Sequence, residues 1–222
     1  MSVSNPLLER IENWLPKSLR ALLIRFDNSP ITSVEKLLDF VHTRSSYVAQ
    51  TSLYGYLRTR MGTSYREYFQ DEVFSAAIRL AAANLFVTCL SDMTVFCVAT
   101  AGQERAMTKK EMQSLSAYVF GTAMRKGLED AETLVDQEQA VADFNKRIKK
   151  TDWNVEKEGE NAFSLSPEGL VCFAPVVDEF KELDKEIVIN SIRFKWRDVR
   201  KQARKRLNGQ AIGRDWRESK PA

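Results

Sequence analysis

The sequence predicts an all-α fold, in which a helical bundle with a buried apolar central helix is followed by a long basic helix near the C-terminus. Gly and Pro are sparse, at 9 and 6 of 222 residues, which suits helices better than a turn-rich β fold. Apolar residues recur at helical spacing along most of the chain. The segment 71–101 is the most apolar, and from Leu80 to Ala101 its only charge is Asp92.

Breaks in this periodicity divide the chain into four parts. Residues 151–175 interrupt the helical spacing with a polar run and a short apolar piece, which is typical of a connector or a long functional loop. Residues 193–222 hold eleven Lys or Arg against three acids, whereas the rest of the chain holds 22 basic and 27 acidic groups. The predicted parts are a helical bundle (1–150), an irregular connector (151–175), a long amphipathic basic helix (176–208) and a flexible basic tail (209–222).

Several segments of the predicted bundle carry helix signals of their own. Residues 6–26 have a helical apolar stripe that Pro16 should kink, because the proline ring blocks a backbone hydrogen bond. Capping-box patterns at 32–35 and 108–111 each place a Glu three residues after a Thr and predict two helix starts. A separate helix is predicted over 45–61, ending at the glycine that follows.

The apolar segment 71–101 has two interpretations. Its length would suffice to cross a membrane, but an Asp near the middle of a membrane helix costs about 3 kcal/mol. We therefore interpret the segment as the buried central helix of the bundle. Asp92 then needs a partner, and a structural ion pair or polar contact is favoured over a catalytic carboxylate. The candidate partners are Arg58, Arg79 and Arg125.

Catalytic signals are weak. Nucleophilic catalysis needs a nucleophile, a base and an orienting group. The single His, His42, could act as a base for Ser45 or Ser46, which gives a hydrolase as an alternative function. A histidine near a helix C-terminus is more often stabilised there by charge and hydrogen bonding.

The three Cys residues indicate neither a metal site nor a disulfide framework. Cys89 and Cys97 share one predicted helix, with Cα atoms roughly 12 Å apart by helical rise, and Cys172 is distant in sequence, so buried inert thiols are expected. No cofactor is expected, because no glycine-rich phosphate loop is present. The odd Cys count and the absence of a visible secretory signal predict a cytoplasmic protein, with a membrane-peripheral position as a further option.

Three runs carry a family resemblance: "SSYVAQTSLYGYLRTRMGT", "VFSAAIRLAAANLFVTCLSD" and "EIVINSIRFKWRDVR". With these runs, most of the chain resembles a bacterial family of uncharacterised helical proteins to which the label "esterase" is often attached. The resemblance implies a helical fold and carries no understood site. The label itself implies a G-x-S-x-G pentapeptide on a strand–turn–helix, which this sequence does not contain.

Aromatic and basic residues are interleaved in the segment 47–69, which has five Tyr and one Phe among three Arg. This composition is typical of protein-binding hot spots and of surfaces that stack single-stranded nucleic acid. Tyrosines that pack on the core and keep their hydroxyls in water would explain it equally well. The candidate contact residues are Tyr54, Arg58 and Arg60.

The basic helix supplies the other candidate contacts. It is predicted to have one wide apolar face, and a second face with cations at i, i+4, i+7, i+8 and i+11. A Trp lies where its basic and apolar character overlap. Four interpretations stay open: a solvated surface, a face for a protein partner or a homo-oligomer, an anionic membrane surface, or nucleic acid. The candidate residues are Arg193, Trp196, Arg197, Arg200, Lys201 and Arg204.

These patterns together predict a non-catalytic interaction or accessory protein. We expect it to dock onto a protein complex through the basic helix, with an anionic membrane surface as a further setting. A hydrolase that uses His42 and a nearby Ser is the first alternative. Nucleic-acid binding through the basic row is the second.

Overall fold

The computed structural model describes residues 29–64, 70–103, 106–156 and 162–219, so the helix predicted over 6–26 lies outside the described residues. Within the described ranges the chain forms eight α-helices and no β-strand, which confirms the all-α prediction. The helices are α1 (Val34–Met61), α2 (Glu72–Ala101), α3 (Lys109–Gly127), α4 (Gln137–Lys150), α5 (Trp153–Glu156), α6 (Leu165–Phe173), α7 (Asp178–Arg206) and α8 (Gly209–Glu218). Two 3₁₀ turns cover Gly62–Ser64 and Glu132–Leu134.

Helix α2 is the central helix that the sequence predicts. It packs against α1, α3 and α6, and every residue from Cys89 to Ala99 is buried. A helix that is apolar on all sides needs neighbours on all sides, and these three helices supply most of them. In the part of the chain that the structure describes, α2 is also the one helix that is long and apolar enough to cross a membrane.

Helix α1 differs from the prediction of two separate helices. It runs without a break from Val34 to Met61, because no Gly or Pro interrupts the sequence before Gly55. The capping box predicted at 32–35 is wrong, because the N-cap is Ser33, one residue later, whose Oγ accepts from the Lys36 amide at 3.3 Å. A Lys side chain has no acceptor to return the bond, so Ser33 caps the helix alone. At the other end Gly62 adopts a φ of 56°, in the left-handed region that glycine favours.

The capping box predicted at 108–111 is confirmed at the start of α3. The Thr108 hydroxyl accepts from the Glu111 amide at 3.2 Å, and the Glu111 carboxylate accepts from the Thr108 amide at 2.7 Å. Arg217 of α8 donates to the same carboxylate at 3.0 Å. These bonds lower the pKa of Glu111 to about 2, and they tie the end of the chain to the start of α3.

The segment predicted as an irregular connector, 151–175, contains two helices, α5 and α6. Its Pro and Gly suggest a loop, but Pro167 lies in the first turn of α6, where its missing N–H costs nothing. A Cβ added at Gly169 would lie 2.9 Å from the Thr88 hydroxyl, so this glycine permits close packing of α6 on α2. The apolar piece of the predicted connector is therefore part of the core.

The prediction of a flexible tail over 209–222 is wrong for residues 209–218, which form α8. The Asn208 side chain caps this helix by accepting from the Ala211 amide at 3.0 Å. Ile212 and Trp216, four residues apart, are buried. Three Arg or Lys side chains between 214 and 220 obscured this short apolar pair in the sequence, so the tail resembled a solvated segment.

Candidate functional site

Helix α7 has apolar side chains on two opposite faces, whereas the sequence predicted one wide apolar face. The inner face packs on α6, α1 and α2, and the outer face points away from the bundle. The buried residues of the inner face are Val188, Ile192, Trp196, Val199 and Ala203. The outer stripe consists of Phe180, Leu183, Ile187 and Phe194, with exposed fractions of 47%, 74%, 74% and 57%.

Charge along the outer face of α7 changes sign near the middle of the helix. Four exposed acids lie in the N-terminal half, whereas five exposed cations and one exposed acid, Asp198, lie in the C-terminal half. The Asp198 carboxylate lies 3.8 Å from the Arg197 guanidinium, so this acid is paired within its own helix. The guanidinium carbon of Arg197 lies 4.1 Å from the centroid of the Phe194 ring, so the basic half adjoins the apolar stripe. The four N-terminal acids are Asp178, Glu179, Glu182 and Glu186, and the five cations are Arg193, Arg197, Lys201, Arg204 and Lys205.

The structure separates the six contact residues predicted on this helix. Three of them, Arg193, Arg197 and Lys201, are exposed and lie beside the stripe. Arg204 is also exposed, but its guanidinium reaches back to the bundle, 5.6 Å from the ring centroid of Phe96 on α2. Arg200 is half-buried, with its guanidinium 5.8 Å from the Phe163 ring centroid. Trp196 is only 1% exposed, so in this structure it packs inside the bundle and does not lie with the exposed arginines.

The Tyr/Arg segment contributes one residue that reaches α7. Arg60 makes a two-bond ion pair with Asp184, and its guanidinium lies 4.7 Å from the Phe180 ring centroid. Tyr54 packs against the core with its hydroxyl buried, and burial raises its pKa above the usual tyrosine range. Arg58 is exposed on α1. The segment is thus partly core and partly a brace for the start of α7.

A buried polar cluster around Asp92 joins four helices. Asp92 is fully buried, and its carboxylate accepts from Arg147 of α4 at 2.8 Å. It also accepts from the amide and the hydroxyl of Ser166, at 2.8 and 2.7 Å, at the start of α6. The Ser166 hydroxyl in turn accepts from the Trp196 indole of α7 at 2.9 Å. The cluster therefore fixes α4, α6 and α7 to the central helix.

The partner of Asp92 is not one of the three arginines that the sequence suggested. Arg147 lies 55 residues away along the chain, and it also donates to the Ser91 hydroxyl at 2.7 Å and the Ala162 carbonyl at 2.8 Å. Burial raises the pKa of Asp92, while Arg147 and Ser166 act to lower it. All the bonds to this carboxylate come from donors, as an ionised acid requires. The predicted structural ion pair is what the structure contains.

His42 and its neighbouring serines do not form a catalytic pair. His42 lies inside α1 and is buried, and its Nε2 has no hydrogen-bond partner. The hydroxyls of Ser45 and Ser46 donate to the backbone carbonyls of Cys89 and His42, at 3.4 and 3.0 Å. Burial, with help from Lys126, lowers the pKa of His42 to about 4. The imidazole is therefore neutral near pH 7 and bonded to neither hydroxyl.

The thiols follow the expectation of burial only in part. Cys89 and Cys97 are buried on α2, and burial raises the pKa of both. Cys172 is exposed on α6, contrary to the prediction. Among the described residues, no group of three or more His, Cys, Asp or Glu side chains could hold a metal ion.

Comparison with protein-family models, with curated proteins and with solved structures finds no match to this chain. The resemblance to a helical bacterial family therefore stays a prediction from the sequence. The two regions of this chain that stand out are the outer face of α7 and the cluster around Asp92.

Proposed function

We propose that this chain is a non-catalytic interaction protein that binds a protein partner through the outer face of α7. The observation that carries the proposal is the stripe of four large apolar side chains on the outside of a helix whose inside is already packed. Contiguous exposed apolar surface of this kind marks interaction sites in soluble proteins. Exposed Phe side chains beside Arg side chains also match the composition of binding hot spots.

The anchoring of α7 supports this use of its outer face. Five inner residues pack on the bundle, Trp196 bonds to Ser166, and Asp184 is paired with Arg60 near the N-terminal end. The stripe is thus held on a rigid helix. A partner would not have to order this segment on binding, which removes part of the entropic cost of association.

The charge pattern favours a protein partner over an anionic membrane or a nucleic acid. Phosphate-rich partners attract the cations of the C-terminal half, but they repel the four acids beside the N-terminal half of the stripe. A protein surface can carry cations opposite the acidic half of α7 and acids opposite its basic half. The hydrolase alternative receives no support from the geometry of His42, whose Nε2 accepts no hydrogen bond from a serine hydroxyl.

The proposal is tested by recovery of bound protein from native cells with a tagged full-length chain. We expect the unmodified chain to recover a bound protein, which is either another protein or an untagged copy of this chain. The Leu183→Lys/Ile187→Lys variant should no longer recover that protein. Val155→Lys is the matched control, because Val155 is an exposed apolar residue on another helix, α5. Equal recovery by the stripe variant and the unmodified chain would overturn the proposal.

A further inference from the structure

We infer that the partner of the outer α7 face is a second copy of this chain, bound with the two α7 helices antiparallel. The inference rests on the proposed function and names the partner. Its basis is the order of side chains along one helix face, which is acidic and apolar in the first half and, apart from Asp198 in its pair with Arg197, apolar and basic in the second. A face of this kind is complementary to itself when one copy is reversed.

The charge order selects the antiparallel arrangement. A two-fold axis perpendicular to α7 and passing between Asn190 and Ser191 would bring the acidic half of each helix opposite the basic half of the other. Glu179 would then lie within one helical turn of the partner copy's Lys201, and Glu186 within one turn of its Arg193 and Arg197. A parallel pair would oppose acid with acid and base with base, and like charges in close contact are destabilising.

The apolar side chains fit the same axis. It places Ile187 of each copy opposite Phe194 of the other, so this pair occurs twice at the centre of the interface. Further out, Phe180 would lie opposite Lys201, and Leu183 opposite Asp198, which is paired with Arg197 of its own helix. The aliphatic stems of Lys201 and Arg197 can cover this apolar surface while their charges stay in water. Both copies would use the same surface, as a closed two-fold dimer requires.

The size of the face indicates a reversible dimer. Helix α7 has 29 residues, which correspond to about 43 Å of helix, and one helix pair buries an area at the low end of specific interfaces. We therefore expect dissociation in the micromolar range, with a rise in the dissociation constant as salt screens the two charged ends.

The experiment is sedimentation equilibrium of the purified full-length chain from about 1 to 100 µM, with two charge-reversed variants. One variant is Glu182→Lys/Glu186→Lys, and the other is Arg197→Glu/Lys201→Glu. Each should dissociate at least tenfold more readily than the unmodified chain, because each opposes like charges at both ends of the interface. An equimolar mixture of the two variants should dimerise again, because opposite charges then face one another.

Folding of the variants is checked by circular dichroism and thermal unfolding, which should not change, because all four reversed side chains are exposed. A monomeric unmodified chain at about 100 µM would overturn the inference. A dimer that neither variant weakens, or a mixture that stays monomeric, would also overturn it. Co-sedimentation with anionic vesicles is measured beside the sedimentation equilibrium. A monomeric chain that binds these vesicles would overturn the inference and assign the face to a lipid surface.

The inference and the proposed function can fail separately. If the chain is monomeric but still recovers a different protein through Leu183 and Ile187, the partner is that protein and the proposed function stands. If the chain is monomeric and the stripe variant recovers as much protein as the unmodified chain, both are overturned.

Discussion

The two faces of α7 consist of similar side chains but have opposite environments. Trp196 and Phe194 are aromatic residues two positions apart, and each lies beside a cation in sequence. Trp196 is 1% exposed and donates to Ser166 in the Asp92 cluster, whereas Phe194 is 57% exposed and contacts Arg197. Apolar content alone therefore does not separate core from surface on this helix. The separation depends on which face the other helices pack against.

The largest expected difference between the faces is between Trp196→Ala and Phe194→Ala. Loss of the buried indole leaves a large cavity and an unpaired Ser166 acceptor, which should lower the free energy of unfolding by about 4 to 6 kcal/mol. Loss of the exposed Phe194 ring should change it by less than about 0.5 kcal/mol. Urea unfolding followed by circular dichroism measures both, and a comparable loss in the two variants would contradict this account of the faces.

Removal of the cation that pairs with Asp92 should have the next largest effect. Arg147→Met leaves a buried carboxylate without its charged partner, and we expect a loss of about 3 to 4 kcal/mol in the free energy of unfolding. The double variant Arg147→Met/Asp92→Asn should be more stable than Arg147→Met, because the amide carries no charge. Urea unfolding of Arg147→Met, Asp92→Asn and the double variant measures the coupling. If the loss in the double variant equals the sum of the losses in the two single variants, Asp92 and Arg147 are not coupled.

His42 should make the stability depend on pH. Its pKa is about 4 in the folded chain, against 6.5 in the unfolded chain, so the unfolded state binds more protons between these values. The contribution of His42 to stability should be constant above about pH 7 and fall by roughly 2 to 3 kcal/mol as the pH drops from 6.5 to 4.

The control for this pH effect is His42→Leu, which removes the titrating group. Carboxylates also titrate below pH 5, so the measured quantity is the difference between the two chains in urea unfolding at each pH. As the pH falls, the free energy of unfolding of His42→Leu should rise relative to that of the unmodified chain. A constant difference from pH 7 to pH 4 would show that the imidazole is not held neutral by burial.

A smaller loss than those at Trp196, Arg147 and His42 is expected at the capping box of α3. Thr108→Ala removes the hydroxyl that accepts from the Glu111 amide, and we expect a loss of about 1 kcal/mol in the free energy of unfolding. Thr108→Ser keeps an N-cap hydroxyl and should restore most of the stability. A loss as large as that of Arg147→Met would mean that this exposed contact is not the minor element that its position indicates.

Much of the fold could be predicted from local patterns. The central helix α2, the long helix α7 and the capping box at Thr108 depend on residues within a few turns of one another, so their signals are contained in short windows of sequence. The prediction fails where a local signal competes with packing. Pro167 and Gly169 suggest a loop but begin a buried helix, and the cations near Ile212 and Trp216 mask α8.

The sequence by itself determined the helical fold class, the apolar central helix, the need of Asp92 for a partner and the concentration of positive charge near the C-terminus. Only the tertiary structure decided that this partner is Arg147, that Trp196 lies inside, and that Phe180, Leu183, Ile187 and Phe194 lie outside. The physical reason is that helical periodicity defines the angle of each side chain around its own helix. Which of those angles faces protein and which faces water is decided by the other helices, whose contacts come from distant parts of the chain.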